Sequence, residues 1–290
     1  MEIIRIPRIM HDTSKGHLLH GRSIGFVPTM GALHEGHLSL IKRSKDENDI
    51  TVVSIFVNPF QFGSSEDFQQ YPRDTDGDVA RLRKAEADVL FMPDAPSIYH
   101  KGFSTHINVG MISEKLCGAF RPGHFRGVAT IVAKLFNIVS PARAYFGQKD
   151  FQQALIIKKM AKDLDMPVDI IVSPTIREHD GLAMSSRNLY LSEEERKAAA
   201  VIYRCLAQTS EMIKSGIINN KEQIKGFMKE KLSEEPLVTE IQYASVYDPG
   251  TLDELEVVEK EALLAVALKI GGVRLIDNIF VKTENKGSGR

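Results

Sequence analysis

The stretch PTMGALHEGHLSLIKRS, residues 28–44, constrains the fold more than any other part of the chain. The apolar run at 24–27 before it reads as a buried strand, and 38–44 reads as the start of a helix. Strand, glycine-bearing turn and helix N-terminus in that order open a βαβ unit. Such a unit commits the chain to a parallel sheet with right-handed crossovers. Backbone N–H groups at a helix start, with the positive end of its dipole, form an anion site. His34 and His37 stand in that turn, three residues apart.

The first half of the chain repeats the alternation. Residues 50–57 (ITVVSIFV) are rich in β-branched side chains and read as a second buried strand. Further strands are expected at 88–92, 144–146 and 168–172. Helices are expected at 75–86 and 128–139, with another opened by Gln148-Lys149-Asp150. The 128–139 helix carries an apolar stripe at helical spacing.

After about Arg177 the character changes. EHDGLAMSSRNLYLS is a loop of small and polar residues. Ser192 with Glu195 then makes a capping box for a helix running to about Ser215, and a second helix spans 221–232. Strands follow at 241–247, 262–268 and 274–280. The expected architecture is α/β: a Rossmann-like parallel sheet with flanking helices over 1–176, a smaller α+β C-terminal domain over 177–283, and a disordered tail at 284–290.

Composition narrows the classes. A chain of 290 residues with 43% hydrophobic and 26% charged residues suits a soluble globular protein with a sizeable core. A net charge of -1 gives no bulk attraction to nucleic acid or anionic lipid. No apolar run approaches the roughly 18 residues of a membrane span. The N-terminal stretch is too interrupted for a signal peptide, and two cysteines make no disulfide framework. A cytoplasmic protein is expected.

Five segments carry candidate chemistry. In HEGH, Gly31 and Gly36 let the backbone approach a ligand; the i, i+3 histidine spacing differs from the i, i+4 of a zincin, so zinc is disfavoured. NPFQF, 58–62, directly follows a buried strand, where ligands of open α/β sheets bind, and Gln61 offers an acceptor and two donors. RPGHFRG, 121–127, is either an anion-holding loop or a solvated basic one. In GQKDFQQ, 147–153, Lys149 at a helix start opposes the dipole unless it meets an anion. MSSRN, 184–188, offers hydroxyls and a guanidinium, or else a plain linker. P-loop, dinucleotide-type G-x-G-x-x-G and G-x-S-x-G signatures are absent.

In order, PTMGALHEGH, NPFQF, RPGHFRGVATIV, FGQKDFQQ and MSSRN resemble the pantoate–β-alanine ligase (pantothenate synthetase) family. That family lies within the HIGH-type nucleotidyltransferases; HEGH matches the HIGH-like motif and MSSRN, loosely, the KMSKS-like one. The resemblance implies condensation of pantoate with β-alanine through a pantoyl adenylate, releasing pyrophosphate and then AMP. It implies that His34, His37 and Lys149 act at the phosphates, with imidazolium hydrogen bonds at the α-phosphate and His37 as proton donor. It assigns Met30, Gly31, Ala32, Leu33, His34, Glu35, Gly36, His37, Gly147, Gln148, Lys149, Asp150, Ile176, Met184, Ser185, Ser186 and Arg187 to ATP. It assigns Gln61 and Gln153 to pantoate, with Gln61 also near β-alanine. Mg²⁺ is expected with ATP, contacted by Asp78, although Gly77 stands where some members carry a second aspartate. The C-terminal domain is expected to act as a lid, and the protein to be a homodimer. Two alternatives stay open: another adenylyl- or cytidylyltransferase of the same superfamily, and a non-catalytic nucleotide sensor.

Overall fold

The computed structural model describes residues 1–64 and 66–283; the expected tail at 284–290 lies outside the described residues. Two compact units divide the chain, Met1–Ile176 and the part from Arg177 onward.

The first unit is built on six strands: β1 (Glu2–Ile4), β2 (Ile24–Thr29), β3 (Ile50–Ile55), β4 (Val89–Phe91), β5 (Arg143–Gly147) and β6 (Asp169–Ser173). All are parallel, in the spatial order β1-β4-β3-β2-β5-β6. From β2 the chain winds outward through β3 and β4, then returns to place β5 and β6 on the other side. The strand order therefore reverses between β2 and β5, and the carboxyl ends of those strands flank the crevice where such sheets bind ligands.

The helices of this unit are α1 (Pro7–Leu19), α2 (Glu35–Glu47), α3 (Thr75–Lys84), α4 (Ala95–Ile98), α5 (Cys117–Phe120), α6 (His124–Val139) and α7 (Phe151–Asp163). Leu40 and Ile41 of α2 and Leu82 of α3 pack with Val27, Val53 and Leu90 of the sheet. Phe26 of β2 meets Phe136 of α6 edge-on at 6.4 Å. The sequence predicts α6 as an amphipathic helix, but 12 of its 16 residues are buried. Its stripe is widened by Gly127, Ala129, Thr130 and Ala133, small residues that admit neighbours on the remaining faces.

The second unit contains α8 (Glu193–Ala198), α9 (Val201–Lys214), α10 (Lys221–Ser233) and the antiparallel strands β7 (Val238–Tyr247), β8 (Glu261–Ile270) and β9 (Val273–Lys282), ordered β7-β8-β9. Ile202 and Leu206 of α9 and Ile224 and Met228 of α10 form a core with Leu264, Val266 and Leu268 of β8. The single helix expected from 193 to about 215 is broken. Ala200 and Ile202 donate to the carbonyls of Lys197 and Ala199, three residues back rather than four. Ser192 and Glu195 do make the expected capping box. No helix of the described residues is long and apolar enough to cross a membrane.

Candidate active site

The turn leaving β2 is held in an unusual path. Thr29 donates its hydroxyl to the Ser54 carbonyl on β3 at 2.8 Å and accepts from Gly31 N–H at 3.2 Å. Gly31 and Ala32 then take positive φ, +85° and +49°. The left-handed region is free for glycine but unfavourable for alanine. What holds Ala32 there is Asp78 on α3: its Oδ2 accepts from Ala32 N–H and its Oδ1 from Leu33 N–H, both at 2.7 Å.

His34 caps α2, so that helix begins three residues before the expected start. Gly36 N–H donates to His34 Nδ1 at 3.2 Å, and His34 N–H donates to His37 Nδ1 at 3.4 Å. This is a capping box made by two histidines, their rings 4.1 Å apart. Because each Nδ1 accepts, each neutral ring carries its proton on Nε2. The box thus satisfies backbone donors through both Nδ1 atoms and directs the proton of each neutral ring to Nε2, beside the helix N-terminus.

Burial pushes the His37 imidazole down from 6.5 to about 3, and the nearby His34 and Lys149 push the same way. Burial thus favours a neutral His37 imidazole near pH 7, whereas the resemblance implies an imidazolium at the α-phosphate. Lys149 lies in the 3₁₀ turn Gln148–Asp150 after β5. Its side chain is 18% exposed, with its ammonium 3.7 Å from Asp150 Oδ1. The switch point of the sheet thus brings His34, His37 and Lys149 to one locality.

NPFQF follows β3 at the same end of the sheet. Asn58 is buried and pinned: its Oδ1 accepts from Phe60 N–H, and its Nδ2 donates to the Gly127 carbonyl and to Gln61 Oε1, each at 3.1 Å. Gln61 is 8% exposed, and its Nε2 donates to Met30 Sδ at 2.9 Å. Gln61 therefore joins the NPFQF segment to the turn after β2. Gln153 sits half-buried in the first turn of α7, one residue from the buried Gln152.

RPGHFRG does something neither sequence reading anticipated. Arg121 pairs with Glu66 and donates from Nη1 to His124 Nε2 at 3.0 Å, while His124 Nδ1 donates to the Gln61 carbonyl at 2.7 Å. The segment braces the main chain at Gln61 from behind. A Cβ on Gly127 would collide with the Phe60 carbonyl oxygen, so α6 approaches this segment backbone to backbone.

Asp78 does not match its expected magnesium role. Its side chain is 2% exposed, both oxygens accept from the turn, and Arg81 Nη1 lies 3.3 Å from Oδ1. At Gly77 a side chain would meet the Asp74 carboxylate, which caps α3 by accepting from Gly77 N–H. No group of three His, Cys, Asp or Glu able to hold a metal occurs among the described residues. The Asp78 carboxylate is therefore committed to the turn and to Arg81.

Ile176 and Glu35 line one groove of about 550 Å³ beside α2, with Leu38, Ser39 and Lys42. In the second unit, Met184, Ser185, Ser186 and Arg187 follow a tightly held turn. Arg177 pairs with Asp277 at 2.6 Å, and Gly181, at φ +91°, passes under Tyr203. Ser185 caps a 3₁₀ turn by accepting from Arg187 N–H at 3.3 Å. Asn188 Nδ2 donates to Glu178 and to the Ala183 carbonyl.

A parallel sheet with a histidine-capped helix and a lysine flanking its switch point is an arrangement suited to an α/β enzyme that binds an anionic ligand. The chain belongs to the pantoate–β-alanine ligase family, whose model matches residues 2–280. It is an ATP-dependent acid–amine ligase. It is 59% identical to the pantothenate synthetase of Thermodesulfovibrio yellowstonii, over 97% of this chain and 100% of that protein. It is 52% identical to the Sulfurihydrogenibium sp. pantothenate synthetase, over 96% and 99%. The crystal structure of pantothenate synthetase from Thermus thermophilus superimposes with a TM-score of 0.91 at 42% identity, covering 96% of this chain and 99% of that one. Pantoate-β-alanine ligase from Francisella tularensis, complexed with βγ ATP and β-alanine, gives 0.79 at 38% identity, covering 96% and 97%.

Proposed function

We propose that the site joins pantoate to β-alanine in two steps. The pantoate carboxylate attacks the α-phosphorus of ATP, and pyrophosphate leaves. The β-alanine amine then attacks the acyl carbon of the adenylate, loses a proton, and AMP leaves. A carboxylate is a poor acylating agent, and bonding it to AMP supplies the leaving group.

The observation that carries this reading is the pair of Nε2–H donors on His34 and His37 at the start of α2, beside Lys149. In-line displacement at phosphorus needs positioning and charge neutralisation more than covalent help. A neutral imidazole donates one hydrogen bond to a phosphate oxygen. As negative charge grows there, that hydrogen bond strengthens, which supports a hydrogen-bond-donor role for His37 at the α-phosphate. Lys149 supplies the full positive charge. The backbone of Met30 to Gly36, Gly147 to Asp150, and Ile176 would contact ATP, and Gln61 and Gln153 would hold pantoate. Met184 to Arg187 are assigned to ATP on the motif resemblance alone.

Magnesium prefers phosphate oxygens and water to an all-protein cage. With Asp78 occupied by the turn, we propose that Mg²⁺ enters on the ATP phosphates. The resemblance also supports a cytoplasmic homodimer, which light scattering checks against twice the 32.4 kDa chain mass.

The test is isotope exchange between pyrophosphate and ATP. Exchange that requires pantoate but not β-alanine supports the adenylate, with AMP and pantothenate appearing only when all three substrates are present. Exchange without pantoate, or product without AMP, overturns the scheme. Nucleotide binding without turnover would leave a sensor.

A further inference from the structure

The side-chain amide of Gln61 can present either its oxygen or its NH₂ outward, and the choice decides which substrate groups it can hold. The structure fixes that choice from outside the site. Asn58 Oδ1 accepts from Phe60 N–H and its Nδ2 donates to the Gly127 carbonyl; both partners are backbone groups with a single possible role. Asn58 Nδ2 therefore faces Gln61 Oε1, which must accept, so that the donor edge of Gln61 is Nε2, with one hydrogen directed at Met30 Sδ and the second left for a substrate oxygen.

The remaining partner of Asn58 is Tyr99, whose hydroxyl lies 2.7 Å from Oδ1. Since Oδ1 can only accept, the phenol donates. Tyr99 is well placed to do so dependably. Its ring stacks on Phe60 at 4.2 Å and packs edge-on against Phe103 at 5.0 Å, and the Lys134 ammonium sits 4.7 Å over Phe103. Burial pushes its ionisation up, so it stays protonated.

We infer that Tyr99 is a positioning residue for the acid substrate, acting through Asn58 to hold Gln61 with its NH₂ group turned toward the substrate. It touches no reacting atom. The acceptor groups it selects for are the carboxylate and hydroxyl oxygens of a small hydroxy acid. This inference rests on the reading of Gln61 as a pantoate-binding residue.

The test is a kinetic cycle on the full chain with Tyr99→Phe, Gln61→Ala and the double variant. Tyr99→Phe keeps the ring stack and removes only the donor. Losing one such hydrogen bond should raise the KM for pantoate roughly three- to tenfold. The KM for ATP and the melting temperature should stay near wild type. In the Gln61→Ala background, Tyr99→Phe should add nothing to the pantoate KM. An equal further rise there, or an equal rise in the KM for ATP, overturns the inference. If Gln61→Ala alone leaves the pantoate KM unchanged, the reading of Gln61 fails and takes the inference with it. Should Tyr99→Phe fold poorly, Asn58→Asp replaces it. That variant removes the Nδ2 donor facing Gln61 at nearly constant volume and must also raise the pantoate KM in a Gln61-dependent way.

Discussion

His37 serves two purposes with one imidazole. Its Nδ1 closes the cap of α2, and its Nε2–H is the donor left over. Because burial and two nearby basic side chains hold it at about 3, its protonation state is coupled to folding. As pH falls below the ordinary 6.5, the unfolded chain takes up a proton here and the folded chain does not. Stability contributed by the neutral ring is present above that pH and is lost as pH falls toward 3. His37→Ala should therefore flatten the acid-side fall in melting temperature between about pH 6.5 and 3, measured against wild type. The same variant should lower the rate of pyrophosphate release by roughly 10²–10³-fold. Near-normal pyrophosphate release would count against His37 at the α-phosphate. Both histidines were visible in the sequence, but their joint capping role was not. Histidine is not among the ordinary N-cap residues, so the pattern rules start α2 too late.

At the scale of elements, α3 matters for what it holds in place. Asp78 reaches from it to the turn after β2 and accepts from two successive N–H groups, one of them on the left-handed Ala32. Asp78→Asn leaves one acceptor facing two donors, and the NH₂ it introduces meets an N–H. A buried unsatisfied donor costs about 1–3 kcal/mol, so the melting temperature should drop. The rate of adenylate formation should fall with it as the histidine cap loses its anchor. The magnesium concentration giving half-maximal activity should not move. A large increase in that concentration would restore Asp78 as a metal ligand. Sequence reading placed Asp78 near the phosphates through family resemblance but could not see its partners, which are backbone groups 45 and 46 residues away. It likewise missed β1 and α1. Three residues carry no strand pattern, and α1 buries only Met10 and Ser14, leaving Ile9, Leu18 and Leu19 exposed. The strands β2, β3 and β5 were legible because both of their faces are covered, which gives continuous apolar runs, and the half-buried edge strand β6 was legible from its β-branched Ile170, Ile171 and Val172.

For the whole molecule, the alternation of elements was enough to predict a parallel sheet, but the spatial order of its strands was not contained in it. That order makes β2 and β5 neighbours and so brings HEGH and Lys149 into one locality from segments more than a hundred residues apart. The MSSRN segment lies in the second unit, where its conformation is set by Asn188 and the turn at Gly181. An acyl adenylate is sensitive to water, and a productive ligase must keep it until the amine arrives. A guanidinium suits that task, since it is always charged and binds phosphate oxygens in a fork. If Arg187 serves the adenylate, Arg187→Ala should let more of it hydrolyse before β-alanine attacks. The ratio of AMP released to pantothenate formed would then rise clearly above one, and the excess would shrink as β-alanine is raised. The melting temperature should change little, because the Ser185 hydroxyl and the Asn188 amide, both kept in the variant, hold the turn. A ratio that stays at one while the rate falls would assign Arg187 to ATP binding alone and remove the shielding role from this segment.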